Sequence, residues 1–270
     1  MTDYFATKIS GIRAVYKYSS IVKTPDNKAE MMQDSLTANS AQIQLRSLSS
    51  DAAARNALRF FKTGSGDYGE GDKFLGISVP VLRAQTKRYA QMPIDEVLTL
   101  LRSGFHEERL FSLLLLVHQF ERSDAGMRQA IYESYMEHTE FINNWDLVDC
   151  SAYKIVGAHL SNSKSRESLY KLAKSSVLWE RRIAIISTLW FIKNADFKDA
   201  LRISALLLKD EEDLIHKAAG WMLREIGKLD KPVEEAFLNE HYTVMPRTML
   251  RYAIEKFPEK QRQLYLTGTA

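Results

Sequence analysis

The chain of 270 residues and 31.0 kDa is long enough to bury a sizeable core without a disulfide or metal staple. Apolar residues at 45% and charged residues at 26% match a globular protein, and no apolar run approaches the roughly eighteen residues of a membrane-spanning helix. A net charge of +3 with a pI near 8.8 permits a nucleic-acid partner without demanding one.

Glycine (12) and proline (6) are too sparse for the tight turns of a sandwich or barrel, so the expected class is all-α. The single cysteine, Cys150, excludes an internal disulfide, a Cys-x-x-Cys pair and a cysteine-rich zinc site, which fits a reducing cytoplasm. Residues 1–40 carry Ser19, Ser20, Pro25, Asn27 and Lys28, show no sustained helical period and no signal-peptide core, and are expected to form a poorly structured N-terminal extension to a domain over 41–270.

From Ala41 onward the helical period sets in. The stretch Ala57 to Lys62 reads as helix and leads into an unusually long glycine-rich loop, Thr63 to Pro80. Within it, Gly64-Ser65-Gly66-Asp67-Tyr68-Gly69 has the letters of a dinucleotide fingerprint but neither the strand before it nor the helix opening on it. A plain connection whose glycines take positive φ is the favoured reading, and the length of the loop leaves open that it approaches a ligand. Ile94, Val97, Leu98 and Leu101, then Leu110, Leu113, Leu114 and Val117, mark antiparallel helices. Breaks at Ser123-Asp124, Ser161-Asn162-Ser163, Asn194-Ala195-Asp196 and Leu229-Asp230-Lys231-Pro232 separate those that follow, with Ser, Asn and Asp as caps. The segments at Glu108, Trp145, Glu180, Ile215 and Pro246 align with one another, at spacings close to those of helix-pair repeats. The architecture expected is a HEAT-like α-solenoid, with an unrepeated helical bundle as the alternative.

Three features bear on chemistry. His106-Glu107-Glu108-Arg109 lacks the second histidine of a zincin and the six histidines are scattered, so no metal is expected; no Gly-x-Ser-x-Gly elbow is present either. In Asn143 to Cys150, an Asn can cap a helix carrying Trp145 and Asp149 one turn apart, an indole beside a carboxylate. Asp146 in the first turn is explained by the helix dipole. Asp149, deeper in the helix, has no such reason and needs a cation or water, or a partner on a neighbouring helix. Arg181 and Arg182 stand near a predicted helix start, where the dipole disfavours cations. Phosphate binding accounts for them, and Lys217 and Arg247 recur near the equivalent places in later repeats; solvated arginines at a loop edge are the plainer alternative. Trp221, after Ala218-Ala219-Gly220, suits either the core or a pocket wall.

Taken together, Lys62 to Ile77 with Val79-Pro80, Trp145 to Asp149, Trp179 to Arg182, and Lys217 to Glu225 resemble the AlkD-like DNA alkylation repair glycosylases over about residues 45–265. The resemblance implies a HEAT-like solenoid whose concave basic face holds duplex DNA, and an activity without cofactor that excises purines alkylated at N3 or N7. It implies that Asp149 is the essential carboxylate, Trp145 and Trp221 the pocket indoles, and Arg182 the active-site arginine contacting the backbone near the lesion. Arg181 and Lys217, beside them, are expected from charge and position to bind phosphate, and a monomer is expected. A non-catalytic binder of damaged or branched DNA and a protein-interaction scaffold are the alternatives; neither needs Asp149 beside Trp145.

Overall fold

A computed structural model describes residues 36–269 of the chain. The extension expected over residues 1–40 lies outside the described residues as far as residue 35, and from Ala38 the chain is helical.

Helix α1 (Ala38–Arg46) starts on a reciprocal cap, in which the Thr37 hydroxyl accepts from the Ser40 N–H at 3.2 Å and the Ser40 hydroxyl from the Thr37 N–H at 3.3 Å. After α2 (Asp51–Phe60) and the glycine-rich loop come α3 (Val79–Gln85), α4 (Ile94–Leu101), α5 (His106–Arg122) and α6 (Ala125–Glu137). Next are α7 (Trp145–Ala152), continued by a π-helical stretch over Tyr153–Gly157 into α8 (Ala158–Ser161), then α9 (Glu167–Ala173), α10 (Leu178–Ser187) and α11 (Leu189–Lys193). The chain ends with α12 (Lys198–Leu206), α13 (Asp213–Leu229), α14 (Lys231–His241), α15 (Arg247–Ala253) and α16 (Glu259–Thr267). Among the described residues no strand forms, only an isolated bridge between Lys73 and Phe105.

The fold is the all-helical solenoid that the apolar period implies. The five aligned segments fall at the starts of α5, α7, α10, α13 and α15, and these helices pack in that order, each on the next. Helices α4, α9 and α12 lie against α5, α10 and α13, and α14 also packs on α13. Every side chain of α5 from His106 to Val117 is buried, as a helix covered on all sides must be. The breaks read at Asp124 and Asp230 are side-chain caps: Asp124 accepts from the Met127 N–H at 2.9 Å, and Asp230 from the Val233 N–H at 3.2 Å ahead of Pro232.

Two glycines permit the closest crossings. A Cβ on Gly157 would stand 2.3 Å from the Ser187 carbonyl oxygen and one on Gly220 would stand 2.4 Å from that of Met249, so α10 and α15 approach their neighbours backbone to backbone. The separation of α10 from α11 carries no capping signal in the sequence. It arises where the Ser187 and Thr188 hydroxyls donate back to the Ile183 and Ile185 carbonyls, both at 2.6 Å, and interrupt the ladder.

Candidate active site

Side chains of α7, α10 and α13 converge on one cavity of about 660 Å³. Trp145 is the first residue of α7 and Asp149 lies one turn further; Arg182 comes from α10, and Lys217 and Trp221 from α13. Phe60, Lys62 and Tyr68 close it from α2 and the glycine-rich loop, and Tyr252 of α15 closes the far side. Five of the residues singled out in the sequence are therefore brought together, while Arg181 and Arg247 do not line the cavity.

Asn144 caps α7, its side-chain oxygen accepting from the Trp145 N–H at 2.8 Å, which fixes where the indole leaves the helix. Asp149 meets the partner its position required. Arg182 Nε donates to Oδ1 at 3.0 Å and Nη2 to Oδ2 at 2.8 Å, a parallel fork between α7 and α10. A third bond runs from Arg182 Nη1 to the Leu214 carbonyl oxygen and ties the pair to α13. Burial pushes the Asp149 carboxyl above its usual range, and the guanidinium works against that rise. Three of the five N–H groups of the buried Arg182, which lines the cavity, are engaged in these bonds.

The other basic residues divide. Lys217 is paired with Asp213 one turn earlier at 2.7 Å, and that hydrogen bond holds its ammonium above the usual range while Tyr252 and Tyr68 lie within electrostatic reach. Arg181 points elsewhere: its Nε lies 2.6 Å from Asp210, and its Nη1 donates to the Ser175 and Ser176 carbonyls at 3.0 Å. The Asp210 carboxylate and the anchored turn before α10 give this arginine at a helix start a set of partners within the protein. Arg247 donates to the Leu266 carbonyl at 2.8 Å from an exposed position. Trp221, which by residue type alone suits the core, is a half-buried cavity wall, and its indole N–H is held by Glu225 at 2.9 Å.

The glycine-rich loop follows a helix and not a strand, and Gly66, Gly71 and Gly76 take φ of 81°, 80° and 76°, the left-handed region that glycine tolerates. The segment without a zincin pattern, His106-Glu107-Glu108-Arg109, is what clamps this loop. Glu107 accepts from the Leu75, Gly76 and Ile77 N–H groups at 2.8, 2.7 and 3.2 Å. Arg109 donates to Asp72, and His106 stands between Asp72 and Asp146. Held this way, the loop lays Tyr68 edge-on against Trp179, centroids 6.0 Å apart, and seats Phe61 in a stack on Trp145 at 5.5 Å. Sequence reasoning missed Phe60, Lys62, Tyr68 and Tyr252 as wall residues. The length of the loop was the one signal, and it covered Tyr68 without naming it. No group of three or more potential metal ligands of the size needed to hold an ion forms among the described residues, and none of their helices is long and apolar enough to cross a membrane.

Residues 41–257 match the family model for DNA alkylation repair enzyme. A solved structure described as a predicted DNA alkylation repair enzyme from Enterococcus faecalis superposes with a TM-score of 0.60, covering 78% of this chain and 97% of its own at 17% identity. No curated protein matches the sequence.

Proposed function

The chain belongs to the DNA alkylation repair enzyme family, and from that premise we propose that it is a monofunctional DNA glycosylase that releases N3- and N7-alkylated purines from duplex DNA. The observation that carries this reading is the meeting of Trp145, Asp149, Arg182 and Trp221 in one cavity although they are spread over three helices.

The chemistry follows from the substrate. A purine alkylated at N3 or N7 carries positive charge and is already a good leaving group, so catalysis consists mainly of stabilising an oxocarbenium-like sugar as the N-glycosidic bond breaks. Asp149, as the carboxylate, opposes that charge and orients a water for attack on the anomeric carbon; the proton lost by the water passes to a carboxylate oxygen. Trp145 and Trp221 flank the deoxyribose, and their π faces favour its cationic character. Arg182 serves twice: its fork aims the carboxylate, and its two remaining N–H groups take the phosphate beside the lesion so that the sugar cannot drift. Lys217 adds a phosphate contact at the rim. The proposed reaction needs no cofactor, the duplex is the partner, and the chain acts as a monomer in the cytoplasm.

The test is release of free methylated purine from methylated duplex DNA, with neither metal nor nucleotide added, by the wild-type chain and by Asp149→Asn. Release by the first and none by the second is the expected result. Release by both moves the chemistry away from Asp149, and salt-dependent duplex binding without release by either identifies a non-catalytic DNA binder.

A further inference from the structure

Next to the cavity lies a buried imidazole for which the mechanism above has no use. His106, 2% exposed, has its Nδ1 3.1 Å from Asp72 Oδ2 and its Nε2 2.8 Å from Asp146 Oδ2. An ionised carboxylate only accepts, so two such partners require both ring nitrogens to carry hydrogen, and the ring is an imidazolium. The two partners belong to different elements: Asp72 to the glycine-rich loop, Asp146 to the first turn of α7, next to Trp145. The ring also lies 4.8 Å from Phe61 and from Phe74, and Phe61 in turn stacks on Trp145. One side chain thus grips the loop, the helix start and the aromatic stack behind the indole.

We propose that His106 is a positioning residue for the reaction. By bridging Asp72 and Asp146 as an imidazolium, it holds Trp145 at the sugar-facing wall and so sets the rate of base release without contributing to duplex affinity. The inference rests on the glycosylase reading and assigns a role to a residue that touches neither DNA nor the reacting atoms.

The electrostatics agree with the geometry. Burial works against the charge on His106, yet the hydrogen bonds to Asp146 and Asp72 prevail and push its pKa up to about 9. The charged groups facing the ring are Asp146 from α7 and Asp72 from the loop; Arg109, on the same helix as His106, lies behind Asp72. Burial opposes ionisation of Asp72 too, but His106 and Arg109 hold its carboxyl below the usual range. The imidazolium is therefore complete at neutral pH. As pH rises through about 9 one ring nitrogen loses its hydrogen, one carboxylate loses its donor, and the bridge behind the indole is weakened.

Single-turnover release from methylated duplex, measured with duplex affinity and melting temperature between pH 6 and 10, tests the assignment. The expected result for His106→Gln is a rate lowered about tenfold at neutral pH with affinity changed by no more than about twofold. The variant should also lack the alkaline fall that the wild type shows through about pH 9, because glutamine does not titrate there. An unchanged rate, or an alkaline fall that persists in the variant, overturns the proposal; a lower melting temperature alone does not support it. If His106→Gln does not fold, Asp146→Asn takes away one of the two carboxylates facing the ring while leaving Asp72 joined to Arg109: the rate should fall with affinity unchanged, and the alkaline fall should move to lower pH because His106 still titrates with one charged partner fewer, whereas an unchanged rate or an unmoved fall overturns the proposal. If the wild type releases no base, it is the glycosylase reading that fails. The positioning role is then read from the emission of Trp145, taken as wild type minus Trp145→Phe. That emission should change through about pH 9 and do so only when His106 is present; a flat emission overturns the role.

Discussion

Asp149 and Arg182 stand edge to edge across two helices, both carboxylate oxygens within 3.0 Å of guanidinium nitrogens, in the wall of the cavity that also holds Trp145 and Trp221. The carboxylate is therefore aimed before any ligand arrives. What it does next depends on its charge, and burial has raised the pH at which that charge is lost.

A pH profile follows. Release of base should decline on the acid side at a pH above the ordinary carboxylate range, because Asp149 takes up its proton early. In Arg182→Ala the group that opposes this rise is gone, so the acid limb should move further up, and turnover at neutral pH should fall by the equivalent of about 1 to 3 kcal/mol. An acid limb that stays in place in Arg182→Ala would separate the arginine from the titration. Asp149→Asn should bind duplex as the wild type does, since losing a negative charge weakens no phosphate contact.

Basic residues on and off the cavity should differ in salt dependence. If Lys217 meets a phosphate, Lys217→Ala should reduce the slope of log affinity against log salt by about 0.9 on duplex DNA. Arg181→Ala should leave the slope unchanged, because its guanidinium is committed to Asp210 and two carbonyls, and should show itself in a lower melting temperature. Equal slope changes in the two variants, measured by fluorescence anisotropy over a salt series, would contradict this division.

Glu234 on α14 gives a test of stability that is independent of DNA. It is 2% exposed, its Oε1 has no hydrogen-bond partner, and its carboxyl lies against Gly227, where an added Cβ would collide with it. Burial first, and Glu235 beside it, push its pKa from 4.5 to about 8, against the pull of Lys231 and Arg224. A raised folded-state pKa means stability that is fully present below pH 4.5, declines as pH rises, and is lost once pH passes about 8. Glu234→Gln cannot ionise and should be the more stable protein at pH 9, by on the order of 2 to 4 kcal/mol, with the advantage vanishing towards pH 4. Denaturant melts of both proteins across that range would show it, and parallel curves would refute it.

Gly76 joins backbone conformation to packing. Its φ is 76°, and a Cβ there would lie 2.2 Å from the Ser50 carbonyl oxygen at the start of α2. Gly76→Ala should destabilise by more than about 1 kcal/mol, and because the loop carries Tyr68 and seats Phe61 behind Trp145, base release should fall with it. Full stability by thermal melt would mean that α2 shifts without cost.

Features that depend on neighbours within a turn or two were legible in the order of the residues. The apolar period aligned Glu108, Trp145, Glu180, Ile215 and Pro246, and these mark the helices that pack in a row. Asp124 and Asp230 were legible as caps, and Trp145 and Asp149 as one face of one helix, because helix geometry is a local rule.

Which charged groups meet was settled by the packing of the helices. Asp149 and Arg182 are far apart in the chain, as are Arg181 and Asp210, and residue type alone favoured phosphate for both arginines. The fold aims one into the cavity and turns the other back onto the turn that begins its helix. Phe60 and Phe61 are adjacent in sequence, yet one is 65% exposed at the rim while the other is half-buried, its ring packed against both Trp145 and His106. His106 carries no motif at all; its role comes from carboxylates brought from a loop and a neighbouring helix. The physical reason is the same in each case. A helical period fixes which face of a helix is buried, but the partner of a buried charge is whatever the neighbouring element presents there, and that is settled only when the elements pack.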